Sequence, residues 1–364
     1  MRIPSVPHGG SLLLFLVPVL GLPLLGVVLS GQSLAPYLEF PPLTHHVEHA
    51  SFSWPVFLGL ALLIAAVVVP CIWRIIAAIT SGSGRHTKKQ AFPLWGWGGV
   101  LLIALAWWLA WTRFPWFAAF QPFTFTPLWL GYIVVVNALT YRATRTCHLV
   151  NRSGYMLVLF FLSIAFWWCF EYLNRLVQNW HYIGVDNLSP SAYVFYATSF
   201  STVLPAVVST VEWLHTSKRL DSAFRHLRSI RLSHPSLIGW IVFVLAGAGL
   251  MGIGIWPDYL FPLLWVSPLL MITSLQAMLR RETMFSSIRN GDWRPVCLPA
   301  LAGLQCGLFW ELWNWHSLAH WEYTIPYVHR FLIFEMPLLG YAGYLPFGLE
   351  CLIIARLFKA NDNQ

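Results

Sequence analysis

Residues 54–73 read WPVFLGLALLIAAVVVPCIW, a run of 20 residues without a charge, with tryptophan at either end. A helix of that length covers about 30 Å, the thickness of a bilayer's hydrocarbon layer, and tryptophan gathers where that layer meets water. Nine further apolar runs lie near residues 11–31, 93–113, 125–141, 154–174, 193–214, 236–256, 260–279, 296–314 and 331–355. Together they predict an all-α integral membrane protein with about ten transmembrane helices.

Composition agrees. The 364 residues are 57% hydrophobic and 10% charged, far below the quarter or so that soluble domains carry. Twenty-one Trp, 25 Phe and 13 Tyr are spread over the chain. Six Cys sit in or beside apolar runs without metal-ligand spacing and read as small core residues. The net charge of +8 does not indicate nucleic acid, because the basic residues lie in short loops between apolar runs.

Those loops set the orientation. Arg85, Lys88 and Lys89; Arg142, Arg145 and Arg152; Lys218, Arg219, Arg225, Arg228 and Arg231; and Arg280, Arg281, Arg289 and Arg294 follow the second, fourth, sixth and eighth runs. With Arg2, Arg74, Arg356 and Lys359 they leave only Arg113, Arg175 and Arg330 for the opposite side, which predicts cytoplasmic termini in a bacterial inner membrane. The first run reads as a retained helix, since it is long for a signal peptide and contains Pro18 and Pro23. The basic segment Thr216 to Ser233 reads as a topology anchor rather than an amphipathic surface helix.

Residues 93–218 and 235–359 align with a shift of about 141. Pro127 meets Pro268, Glu171 and Asn174 meet Glu311 and Asn314, Trp180-His181-Tyr182 meets Trp321-Glu322-Tyr323, and Leu204-Pro205 meets Leu345-Pro346. The expected organisation is therefore two N-terminal transmembrane helices (1–92), a first four-helix repeat with its basic loop (93–234) and a second in parallel orientation (235–364). An axis along the membrane normal would relate the two copies. His45, His46, Glu48 and His49, between the first two runs, read as a polar interfacial loop, and no metal or other cofactor is expected.

Ionisable groups inside a membrane are costly and therefore informative. Glu171 and Glu311 are each followed at i+3 by an asparagine, which places acid and amide on one helix face. Glu335 is expected at the start of the last span, and Glu350 and Glu212 pair with nearby basic residues in this reading. A carboxyl group in apolar surroundings can retain and donate a proton, and the π faces of Trp167, Trp168, Trp310, Trp313, Trp315 and Trp321 could stabilise a cation. The expected site is the second repeat, with Glu311 and Glu335 as acids and Asn314, Trp321 and Tyr323 converging on one cavity. Glu171 and Asn174 are the counterparts, and His316, His320 and His329 stand ready to exchange protons.

Trp310-Glu311, Trp321-Glu322-Tyr323 and Glu335-Met336-Pro337 resemble the pattern of the membrane lycopene cyclase domain family over roughly residues 310–350. The resemblance implies a helical membrane enzyme that protonates a double bond of a linear carotenoid, with Glu311 and Glu335 as acids and Trp321 and Tyr323 lining the site. The family's adjacent paired carboxylates after the proline are absent, its repeat is shorter, and the first copy has Val194 where the second has Glu335. The partner expected is thus a membrane lipid or isoprenoid. A ten-helix transporter with parallel repeats and a non-catalytic assembly protein are the alternatives. Walker A, GxSxG, HExxH and dinucleotide motifs are missing, and no span contains the lysine a retinal pump needs.

The charge asymmetry has a direct test. A reporter fused after Gln364 should be active in the cytoplasm, whereas periplasmic activity would show that the number of crossings is odd.

Overall fold

The computed structural model describes residues 8–40, 44–80, 90–185 and 192–358. Arg2, Arg85, Lys88, Lys89 and Lys359 of the expected cytoplasmic set lie outside them, as does the side chain of Val194. The chain is mostly helical, as the apolar runs require, because in hydrocarbon a helix satisfies its own backbone. The main helices are α1 (His8–Leu29), α2 (Trp54–Thr80), α3 (Leu94–Trp111), α4 (Phe125–Thr144), α5 (Ser153–Val177), α6 (Ala192–Phe200), α7 (Val203–His215), α8 (Lys218–Arg225), α9 (Pro235–Ile253), α10 (Leu263–Met278), α11 (Arg294–Asn314) and α12 (Tyr344–Leu357). Strand β1 (Trp180–Ile183) follows α5, and β2 (His320–Tyr323), β3 (Leu332–Ile333) and β4 (Met336–Pro337) follow α11.

Among the described residues, seven helices are long and apolar enough to cross a membrane, fewer than the ten expected. Phe15–Leu29 and Leu263–Met278 are apolar but shorter. The run at 193–214 is broken between α6 and α7, and Ser163 of α5 closes the break. Its hydroxyl donates to Phe200 O (2.5 Å) and accepts from Leu204 N (3.0 Å), meeting two backbone groups that one continuous helix would have paired. The last run also starts late. Residues 332–337 form the β3–β4 hairpin, turning through Phe334 and Glu335 with Phe334 at φ +55°, and helix begins only at Leu338. Glu335 is therefore in a hairpin turn, not in a span, because Pro337 cannot supply the N–H that a helix through this point would use.

Helix α7 is central, with every residue from Val203 to Val211 buried. Tyr132 of α4 ties it to α11: the Tyr132 hydroxyl lies 2.9 Å from Thr210 Oγ1 and accepts from Gln305 Nε2 at 2.9 Å. Elsewhere glycine sets the spacing. Gly99 and Gly131 let α3 and α4 approach so closely that a Cβ on either would come within about 3 Å of the other's carbonyl oxygen. Gly303 and Gly348 do the same for α11 and α12, where a Cβ would lie 2.2 Å from Tyr344 O or 2.0 Å from Pro299 O.

The two ends of the bundle differ. At the basic end Ser217 caps α8, Phe224 is fully buried, and Asp221 and Asp292 both bind Arg294. Segment 216–233 is thus more than the expected anchor, since α8 packs into the protein and Trp293 N donates to Phe224 O. At the other end the 44–53 segment joins the two halves. His49 Nδ1 lies 2.7 Å from Asp258 and its Nε2 3.2 Å from Gln178 O, while Tyr327 N donates to Ala50 O.

Glycine packing makes a prediction with an internal control. Gly303→Ala or Gly348→Ala should destabilise the protein by about 1–3 kcal/mol through overpacking. Gly98→Ala, with nothing within 4 Å, should be neutral or stabilise by up to about 1 kcal/mol. Thermal melts monitored by size exclusion in detergent would separate them.

Candidate functional site

Asn174 and Asn314 stand at the ends of α5 and α11, each one turn beyond its glutamate and each clamping the strand that follows. Asn174 Nδ2 donates to Trp180 O (2.8 Å), and its Oδ1 accepts from Asn179 N (2.9 Å). Asn314 Nδ2 donates to Trp321 O (2.7 Å), and its Oδ1 accepts from Trp321 N (2.8 Å). Both amides are buried, so each meets backbone groups that water cannot reach.

The clamped strands pair antiparallel, with Trp180 opposite Tyr323, His181 opposite Glu322 and Tyr182 opposite Trp321. Alternation then sorts the side chains. The two tryptophans and two tyrosines turn towards the bundle, and His181 and Glu322 turn away. Beneath the pair is a cavity of about 350 Å³ lined by Trp180, Tyr182, Trp321, Tyr323, Tyr344 and Trp265 among others, with Leu60, Leu63 and Ile64 of α2 at one side.

Each glutamate sits directly behind a tyrosine of this lining. Glu171 Oε1 accepts from the Tyr182 hydroxyl (2.5 Å), Trp167 Nε1 (2.8 Å) and Trp180 Nε1 (3.3 Å). Glu311 Oε1 accepts from the Tyr323 hydroxyl (2.8 Å) and the Tyr344 hydroxyl, and Trp321 Nε1 donates to the Tyr323 oxygen (2.8 Å). Glu311 is completely buried and its Oε2 has no partner among the described residues, whereas three donors converge on Glu171. Burial, then the carboxyl beside each, raises Tyr182 and Tyr323 well above the ordinary tyrosine range, so both hydroxyls keep their protons and remain donors.

Of the expected site, Trp321 and Tyr323 line the cavity, Glu311 and Glu171 back it, and Asn314 and Asn174 hold the strands. Glu335 is not a lining residue, His320 borders the cavity, and His316 is exposed, its ring tilted against Trp315 with centroids 4.2 Å apart. Among the described residues Glu350 pairs with no basic side chain. Its Oε1 accepts from Leu269 N (2.9 Å), beside Pro268, and Glu212 holds His148. Tyr344 was not foreseen, because nothing in Gly343-Tyr344-Leu345-Pro346 marks it and 33 residues separate it from Glu311. Tyr182 belonged to the matched Trp-x-Tyr pair, and only its contact with Glu171 discloses its part.

No protein-family model, curated protein or solved structure matches the chain.

The clamps can be tested apart from any activity. Asn314→Ala strands the N–H and C=O of Trp321 and should cost about 1–3 kcal/mol, and Asn174→Ala a similar amount. Glu335→Gln, in a half-exposed turn, should stay within about 0.5 kcal/mol of the parent in the same melts.

Proposed function

We propose that the chain is an intramembrane enzyme that binds an isoprenoid or other lipid and performs acid–base chemistry on it, with Glu311 acting through Tyr323 and Tyr344. One observation carries this reading: an aromatic, largely apolar cavity with hydroxyls at its wall that are hydrogen-bonded to completely buried carboxyl groups. Its volume is within the range of small-molecule sites, and its lining suits a hydrocarbon better than a polar solute.

The residues divide the work. The tryptophans exclude water and offer π faces to developing positive charge. In the reacting arrangement a proton on Glu311 Oε1 passes to the oxygen of Tyr323 or Tyr344 as that hydroxyl turns its own proton to the ligand, and the Glu311 carboxylate so formed takes a proton back when the ligand's cation loses one. Glu171 and Tyr182 form a second station on the same cavity. Resemblance to the lycopene cyclase domain family supports an isoprenoid, although Glu335, an acid in that pattern, lies in the hairpin turn outside the cavity's lining.

The same reading takes the chain ten times across a bacterial inner membrane with cytoplasmic termini. Phe15–Leu29, Leu263–Met278 and the broken α6–α7 pair are counted as crossings. It also takes residues 93–234 and 235–364 as parallel copies. The strand register supports this. With a shift of 141, His181 and Glu322 are equivalent positions facing one another, and Trp180 and Tyr182 face the equivalents of each other, as a two-fold axis between the strands requires. A carrier built from parallel repeats is the second reading, favoured by a cavity lined from both halves.

Lipid extracts of cells with and without the gene should differ in an isoprenoid or other lipid. Glu311→Gln should abolish that difference, lowering turnover by about 10²–10⁴-fold while the protein still folds and binds the lipid. Full turnover in a well-expressed Glu311→Gln protein would return this residue to a helix-joining role. Unchanged lipids with altered solute uptake would favour the carrier.

A further inference from the structure

The outward face of the β1–β2 pair holds groups that the acid–base reading does not use. His181 is 6% exposed, although Glu322, directly across the strands, is about half exposed. Side chains at opposed positions of an antiparallel pair share a face. His181 Nε2 lies 3.8 Å from Glu322 Oε2, too far for a hydrogen bond, and His320 Nε2 lies 3.5 Å from the other oxygen of that carboxylate. The His46 ring meets His181 edge-on with centroids 5.2 Å apart. The titratable groups facing His181 are thus Glu322 and His320 from β2 and His46 from the 44–53 segment. Its Nδ1 is buried without a partner.

The opposite face of the same two strands is the cavity's roof, through Trp180, Tyr182, Trp321 and Tyr323, and His320 at the end of β2 borders the cavity as well. Whatever loosens the strand pair therefore opens the cavity to the aqueous side.

We propose that His181 is a pH-sensitive latch on this roof, closed while the imidazole is neutral and released when it takes up a proton. The latch regulates the cavity assigned above and in that respect rests on that reading. Its sign follows from the surroundings. Burial pushes the imidazole below its usual range, and His46 and His320 add to this, while the Glu322 carboxylate acts in the other direction. An opened roof exposes His181 to water, where it titrates near 6.5. The open form then binds more protons than the closed form once pH falls below about 6.5, so closure is complete at neutral pH and weakens on acidification.

The experiment uses the full chain in nanodiscs. Amide hydrogen exchange of residues 180–183 and 320–323, corrected for the intrinsic rate, is followed by mass spectrometry from pH 7.5 to 5. Association of retinol, a hydrophobic probe, is followed by energy transfer from the cavity tryptophans. The parent protein should show opening and probe association at least threefold faster at pH 5 than at pH 7.5. His181→Gln, neutral at every pH, should abolish that acceleration, and Glu322→Gln, which removes the group favouring a proton on the closed-state imidazole, should enlarge it. Acceleration retained in His181→Gln, or exchange in the parent that does not depend on pH, would overturn the latch. Retinol that never binds, with exchange still accelerated by acid through His181, would sustain the latch and sink the lipid-binding reading instead.

Discussion

Two short strands end two membrane helices in surroundings poor in water, and their backbone must find partners there. An unpaired N–H or C=O in such a place costs free energy comparable to a lost hydrogen bond, and often more. Asn174 and Asn314 answer this requirement. An asparagine side chain carries a donor and an acceptor, and each amide closes on the strand that leaves its own helix. The strands then satisfy one another by pairing, and that pairing orients everything beneath it. Trp180, Tyr182, Trp321 and Tyr323 face inward because the clamps set the register, and the tyrosines reach the carboxyl groups one turn behind the clamps.

The same demand explains why the bundle is irregular where it is. Ser163 stitches the gap between α6 and α7, and Glu350 takes the N–H of Leu269 next to Pro268. At both of these departures from a regular helix a side chain from a neighbouring helix meets the backbone, which suits surroundings without water. Glycines then bring those neighbours close enough for short side chains to act, most clearly at Gly303 and Gly348. The cavity survives within this tight packing because its wall is built of large rigid rings. Phe170 stacks on Trp265 with centroids 5.2 Å apart, and Trp310 lies over Tyr344 at 5.8 Å.

The roof gives the site two faces with opposite chemistry. Below are aromatic rings and hydroxyls backed by acids, and above are His181 and the half-exposed carboxylate of Glu322, with His320, near that carboxylate, also bordering the cavity. A period-2 alternation in two strands of four residues each is enough to sort most of these side chains to one face or the other.

The sequence by itself determined the membrane class, because charge-free runs of about 20 residues have few other uses, and it singled out Glu171, Asn174, Glu311 and Asn314, because polar residues at i+3 stand out in an apolar helix, and Trp321 and Tyr323, because they recur in the matched segment after it. It could not determine where a helix gives way to something else. The hairpin at 332–337 has the composition of a span, and a proline in an apolar run can start, kink or end a helix according to what neighbouring chains supply. That ambiguity put Glu335 at the start of a span and gave no reason to single out Tyr344. Tyr344 joins Glu311 only because Gly303 and Gly307 let α12 lie against α11, a contact between helices some 40 residues apart in the chain. Local pattern reports which residues share a helix face, whereas which faces meet is decided by packing of the whole bundle, and that only the tertiary structure contains.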